Sequence, residues 1–286
     1  MTRATYGIIG GSGLYQMAGV EDVSWQAIDT PFGTPSDEIA IGTIDGVSVA
    51  FLSRHGRGHR VAPHEINYRA NIWALKSVGV KWLISVSAVG SMREEIVPGD
   101  LVMVDQFIDR TRVRKSTFFE DGIVGHVSFA DPVCGALQSA LTQAAAALDI
   151  THHDGGTYVC IEGPQFSTRA ESLLYRSWDV SVVGMTNLPE ARLAREAQIA
   201  YATIALATDY DCWHESEEQV SVEAVLKTVR GNVDKAQRVL RQVIPALKDA
   251  GPSAAWNALE HAVMTAPDAV TAEAQKRVAL FFDDNA

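Results

Sequence analysis

One stretch constrains the fold of this chain more than any other: in residues 200–213 an apolar run ends abruptly in Asp209, Tyr210 and Asp211. Ile204, Ala205, Leu206 and Ala207 read as a short strand buried on both faces, the pattern of an interior strand of a parallel sheet covered by helices. The carboxyl end of such a strand is where an open α/β sheet binds its ligands. Carboxylates left buried and unpaired there would be costly, so Asp209 and Asp211 must be solvated, paired, bound to a metal or aimed at a polar ligand.

The same pattern recurs along the chain. Strands are predicted at 6–13 (running into a glycine turn), 47–52, 82–88, 101–108, 156–161 and 180–185. Helices are predicted between them at 65–78, stopped by Gly79, and at 134–148, 168–177, 190–198 and 222–247. Residues 109–132 are polar and weakly periodic, long enough for a functional loop. Alternation of the two element types predicts an α/β fold, one domain over 1–286 with a central mixed, largely parallel sheet flanked by helices. Residues 252–286 read as a divergent helical C-terminal segment of that domain, with one helix at 271–281.

Composition removes several function classes. A formal net charge of −11 argues against a nucleic-acid footprint. No apolar run reaches the ~18 to 20 residues of a membrane span, and the amino terminus has no signal-peptide pattern, so a cytoplasmic protein is expected. Cys134, Cys160 and Cys212 are too scattered for a disulfide framework or a Cys-x-x-Cys knuckle.

Several strand ends carry polar groups. Gly10-Gly11-Ser12-Gly13 offers N–H groups and a hydroxyl to an anion, though Gln16 breaks the dinucleotide fingerprint and no P-loop Lys-Ser or Lys-Thr follows. Arg54, His55, Arg57, His59, Arg60 and His64 form a basic cluster in an acidic chain; Arg54 and His55, nearest the strand end, are the better anion ligands. Ser87-Ala88 and Met185-Thr186 follow strands in the same way. If Ser12, Ser87, Thr186, Arg54 and His55 converge, they make a phosphate pocket. Phe166 and Ser167 precede Thr168-Arg169-Ala170-Glu171, a capped helix start, and Phe166 is placed to stack on a heterocycle. The Asp209-x-Asp211 spacing also matches the metal-binding pair of some glycosyltransferases.

These residues resemble the trimeric purine nucleoside phosphorylases, and within them the branch acting on S-methyl-5′-thioadenosine. The likeness is carried by Gly10-Gly11-Ser12-Gly13-Leu14-Tyr15, Arg54-His55-Gly56-Arg57, the stretches 67–75, 93–100 and 105–111, Glu162-Gly163-Pro164 and the stretch 207–213. It continues more weakly to about Leu247. The resemblance implies phosphate held by Ser12, Arg54, His55, Ser87, Ala88 and Thr186, and Met185 against the ribose. It implies Phe166 and Ser167 at the base, with Asp209 and Asp211 at its N7 and 6-amino edge, Asp209 acting as general acid with a pKa raised by burial and by Asp211. His126, Val222, Val225 and Leu226 match positions near the 5′-methylthio group, His126 coming from the adjacent subunit of a homotrimer, or of a dimer of trimers.

The implied reaction is phosphorolysis to adenine and 5-methylthio-α-D-ribose 1-phosphate, with phosphate as co-substrate and no metal or other cofactor. Asp in place of the Asn usual in 6-oxopurine enzymes favours a 6-aminopurine. The alternatives are a phosphorylase for adenosine or 6-oxopurine nucleosides, a hydrolytic nucleosidase, and an idle nucleoside-binding or metal-dependent sugar-transfer protein. Two departures from relatives are Ser87, where several have Thr or Asn, and Gln165, where several have Arg.

Overall fold

The computed structural model describes residues 2–11, 14, 17–214 and 222–283, without the side chains of 222–227 and 249. Ser12 and the side chains of Val222, Val225 and Leu226 therefore lie outside the described residues. In chain order the elements are β1 (Tyr6–Gly10), β2 (Val20–Gln26), β3 (Ile39–Ile44), β4 (Val47–Ser53), α1 (Tyr68–Ser77), β5 (Trp82–Ser91), β6 (Leu101–Met103), β7 (Gln106–Arg110) and α2 (Gly135–Ala147). Then come β8 (His152–Asp154), β9 (Thr157–Ile161), α3 (Arg169–Ser177), β10 (Val182–Gly184), α4 (Asn187–Glu196), β11 (Ala200–Asp209), α5 (Val222–Ala246) and α6 (Ala272–Val278).

All the strands belong to one mixed sheet, ordered β2-β3-β4-β1-β5-β10-β9-β7, with β11 paired to β5 and β6 and β8 paired to β6. Its centre is parallel, as the doubly buried runs predict: β1 lies between β4 and β5, and β11 follows β5 from Ala200 opposite Trp82 to Asp209 opposite Gly90. The register of that last pair shifts between Ala207 and Asp209. On β5, β1 pairs with residues 82–85 and β10 only with Gly90 and Ser91. Residues 86–89 lie between these two pairings, and there the sheet opens into a cavity.

Alternation along the strands divides the interior into two cores. Ile9, Leu83 and Ala205 face α1 and α4, packing with Ile72, Leu75 and Leu193, whereas Ile8, Ile84 and Ile204 face α2 and α5, packing with Leu137, Leu141 and Leu240. Each fully buried Leu or Ile contributes roughly 1.5–3 kcal/mol of transfer free energy. Leu259, Ala274, Val278 and Phe281 of the C-terminal segment belong to the first core, and the Phe281 ring lies 4.6 Å from that of Phe118.

Some elements differ from expectation. The helix expected from Glu65 starts at Tyr68, because Asn67 caps it by accepting from the Ala70 N–H. The strand expected over 101–108 is two: Asp105 turns the chain by accepting the Gly156 N–H, so β6 pairs with β11 and β8 while β7 pairs with β9. β2, β3 and β8 had no counterpart in the sequence reading. The capping box at Thr168 and Glu171 is present as read. Among the described residues no helix is long and apolar enough to cross a membrane.

Candidate active site

The cavity encloses about 480 Å³ at the carboxyl ends of β1, β4, β5, β10 and β11. Three kinds of wall meet in it. One carries hydroxyls and basic residues: Gly11, Arg54, His55, His59, Ser87, Ala88 and Thr186. A second carries Phe166, Ser167, Asp209 and Asp211, and Met185 also lines the space. The third is apolar, with Val86, Leu206, Val229 and Val233.

In the first wall, Ser87 lies within β5 rather than after the strand as expected, and its Oγ stands 2.9 Å from Oγ1 of Thr186, two residues past β10. Tyr158 stands behind them, its hydroxyl 3.5 Å from Ser87 Oγ and accepting the Thr186 N–H at 3.3 Å. Burial pushes the Tyr158 phenol up to about 12, so it stays protonated. This arrangement requires glycine at 184, where a Cβ would fall 2.0 Å from the phenolic oxygen. Ala88 is the one exposed residue of β5.

Arg54 requires a correction. The sequence reading gave its guanidinium to an anion as a fork, but the side chain is 2 % exposed and pairs with the fully buried Glu190, Nε to Oε2 at 2.7 Å and Nη2 to Oε1 at 3.0 Å. Nη2 also reaches Ser85 Oγ at 2.7 Å and the Ile9 carbonyl at 3.2 Å, and Nη1 donates to the Val86 carbonyl at 3.1 Å. Of the five N–H bonds a guanidinium carries, one on Nη1 is left for the cavity. Burial works against the charge, but Glu190 outweighs it and holds the guanidinium above its usual range. Arg54 thus brings to the cavity a single donor and a charge already balanced.

His55 Nδ1 lies 2.8 Å from the Val61 carbonyl. A carbonyl can only accept, so this partner assigns the proton to Nδ1 and leaves Nε2 with a lone pair. Burial, aided by the Arg54 charge, lowers the imidazole to about 4, and its ring stacks on His59 at 4.3 Å. Arg57 and Arg60 turn away from the cavity, Arg57 to Asp37 and Glu38, Arg60 to the Ser36 carbonyl.

The carboxylate pair is held by its own turn. Asp209 Oδ1 accepts the Asp211 N–H at 2.8 Å, and Asp211 sits in the left-handed region with φ 53°, which a short polar side chain tolerates. Thr208 Oγ1 lies 2.6 Å from Asp209 Oδ2 and 3.1 Å from the Val89 carbonyl. With a single hydrogen, it can donate to only one of them. Asp211 is the more deeply buried of the two carboxyls, and burial, together with the charge of Asp209, raises its pKa. A raised carboxyl is therefore found at Asp211, the partner of the one expected, Asp209. Asp211 and Ser167 bring buried polar atoms to the cavity wall, and the Ser172 hydroxyl interacts with the Asp211 carboxyl, partly offsetting the rise that burial causes.

Val229 and Val233 of α5 were not among the predicted residues, though they extend the three- and four-residue spacing of Val222, Val225 and Leu226 onto the same helix face. Glu190, Tyr158 and Thr208 carried no such signal, and His59 stood in the basic cluster without being singled out from it. His126 is exposed, outside the cavity of its own chain, its N–H donating to the Ala262 carbonyl at 2.8 Å. Among the described residues no three His, Cys, Asp or Glu side chains converge as metal ligands would.

Comparison with known proteins gives a consistent picture. Residues 5–245 match the model of the phosphorylase superfamily. The chain is 56% identical over 275 residues to S-methyl-5′-thioadenosine phosphorylase of Geobacter sulfurreducens, covering 96% of each. It superposes with a TM-score of 0.95 on the crystal structure of a methylthioadenosine phosphorylase from an antarctic soil metagenomic library, at 50% identity over 98% of this chain and 99% of that one. With methylthioadenosine phosphorylase from Schistosoma mansoni in complex with adenine the TM-score is 0.83, at 37% identity over 87% and 93% of the chains.

Proposed function

The chain belongs to the phosphorylase superfamily and, within it, to the S-methyl-5′-thioadenosine phosphorylases, and on that premise we propose how its cavity works. It converts S-methyl-5′-thioadenosine and phosphate to adenine and 5-methylthio-α-D-ribose 1-phosphate. The observation that carries this reading is a single cavity joining a hydroxyl-lined anion wall, a carboxylate pair and an apolar wall.

Phosphate is held by Ser87, Thr186, Ser12 and the backbone at Ala88, with one N–H from Arg54. His55 Nε2 accepts from a phosphate oxygen that keeps its proton. An unprotonated phosphate oxygen then attacks C1′ as the C1′–N9 bond breaks and its electron pair passes to the base. The sugar between them is oxocarbenium-like, so holding both partners at reacting distance supplies much of the rate and no covalent enzyme intermediate is needed. Met185 lies against the ribose, Phe166 and Ser167 contact the base, and Val222, Val225 and Leu226 take the methylthio group beside Val229 and Val233.

Asp209 meets N7 and Asp211 the 6-amino group. The raised proton affinity of Asp211 and its contact with Asp209 support treating the pair, rather than Asp209 alone, as holder of the proton that N7 receives. The Thr208 hydroxyl can donate to the ionised form of Asp209 or turn to the Val89 carbonyl, so loss of the proton orphans no buried group.

The reading includes a single domain over the whole chain, a cytoplasmic location, no cofactor beyond the co-substrate, and a homotrimer in which His126 completes the neighbouring site. Half-exposed Val124 and exposed Met264, joined beside His126 by a backbone hydrogen bond of 2.8 Å, support an apolar contact face there.

The test is adenine or hypoxanthine release from methylthioadenosine, adenosine and inosine, with and without phosphate and after chelation. Phosphate-dependent release that is fastest with methylthioadenosine and indifferent to chelation is expected. Release without phosphate, or its loss on chelation, contradicts the reading.

A further inference from the structure

Arg114 forms no part of the cavity wall, yet its side chain is 1 % exposed and tied at every nitrogen. Nε donates to Glu162 Oε1 at 2.8 Å, and Nη2 to the carbonyls of Glu162 at 2.6 Å and Ile161 at 3.3 Å. Nη1 reaches the carbonyls of Met185 and Leu188, both at 2.7 Å, and the Tyr68 hydroxyl at 2.9 Å. The Glu162 carboxylate completes the clasp by accepting the N–H groups of Arg112 and, at 3.2 Å, Val113.

The oxygens Arg114 gathers belong to two walls of the cavity. Ile161 ends β9, and Glu162 leads from it through Gly163 and Pro164 to Phe166 and Ser167. Met185 follows β10 and is succeeded by Thr186. The two segments touch only at close quarters: Gly163 has φ 68°, and a Cβ on it would lie 2.6 Å from Met185 Sδ. No ladder joins the strands beyond Cys160 and Gly184, so past that point the relative placement of the walls depends on side chains. A planar fork with fixed donor directions suits that task, and a flexible ammonium does not.

We propose that Arg114 is a positioning residue of the reaction: it sets the wall that holds the base against the wall that holds ribose and phosphate. This rests on the reading of the cavity given under Proposed function. Adenine alone or phosphate alone needs one wall; bond exchange at C1′ of the bound nucleoside needs both in register. Loss of the joint therefore falls on kcat, because a misplacement of the order of 1 Å between reacting groups costs about 100-fold.

The experiment compares Arg114→Ala and Arg114→Lys with the wild type, using turnover per folded molecule, binding of adenine and phosphate separately, and added guanidinium ion below denaturing concentrations. Arg114→Ala is expected to lose about 100-fold in kcat. Separate binding of adenine and of phosphate is nearly retained, and guanidinium, but not sodium chloride, restores much of the turnover. Arg114→Lys keeps the charge without the fork and stays well below wild type. Wild-type turnover in Arg114→Lys, or a deficit in Arg114→Ala that follows thermal stability and ignores guanidinium, overturns the proposal. A wild type without phosphate-dependent turnover refutes the parent reading, and the proposal with it.

Discussion

At the scale of single residues, base choice rests on Asp209. With a proton its carboxyl donates to N7, and ionised it offers only acceptors to the neighbouring 6-amino edge, whereas Asn presents an N–H that suits a 6-oxo group. Asp209→Asn is expected to lower kcat/KM for methylthioadenosine by at least about 100-fold, the cost of one misdirected donor in a water-poor site, and to spare inosine. Equal losses on both would show that Asp209 does not read the base. The pair itself was legible in the sequence, since two carboxylates at the end of a doubly buried strand demand a ligand. The state of Arg54 was not: its partner Glu190 lies 136 residues away, and only the folded chain reveals that the fork is taken. Local spacing likewise located the buried turn of Asp209 and Asp211 without saying which carboxyl is the deeper.

Among the elements, α4 ties the long segment after β7 to the sheet. Its last residue, Glu196, accepts the Phe118 N–H and the Thr117 hydroxyl, both at 2.7 Å, and burial outweighs these bonds to raise its carboxyl from 4.5 to about 7. A carboxyl raised on folding lends its full stability below the unfolded value and loses it as pH rises through the folded one. Between pH 4.5 and about 7 the protein should therefore lose up to about 3 kcal/mol that Glu196→Gln, neutral throughout, does not lose. Parallel pH dependences in chemical denaturation of the two proteins would refute this. The segment itself was expected as a loop, but its anchors are long-range and left no periodic trace. Strands announced themselves where both faces are buried, as in β11, and passed unnoticed where they are not. β2 is largely exposed and its VEDVSWQ sequence has no alternation to read. The break between β6 and β7 was hidden because Val104 and its apolar neighbours continue the run across the turn.

For the whole molecule, the alternation of strands and helices was enough to predict the mixed sheet, while its order and the opening beside residues 86–89 came only from long-range pairing. The C-terminal segment shows the same limit: its helix was legible, its burial against Phe118 was not. The proposed trimer places His126 of one chain at the site of the next, which a mixing experiment can test. Asp209→Asn and His126→Ala chains, each deficient alone on methylthioadenosine, should regain activity when co-assembled, because roughly a quarter of randomly formed sites would then carry both native residues. Absence of recovery in verified mixed oligomers would remove His126 from the site. The central claim is that phosphate, and not water, takes the sugar from the base. Turnover of methylthioadenosine with phosphate labelled by oxygen-18 tests it most directly. A 5-methylthioribose 1-phosphate whose bridging oxygen carries the label, with no free sugar, is predicted; free 5-methylthioribose bearing solvent oxygen would contradict it.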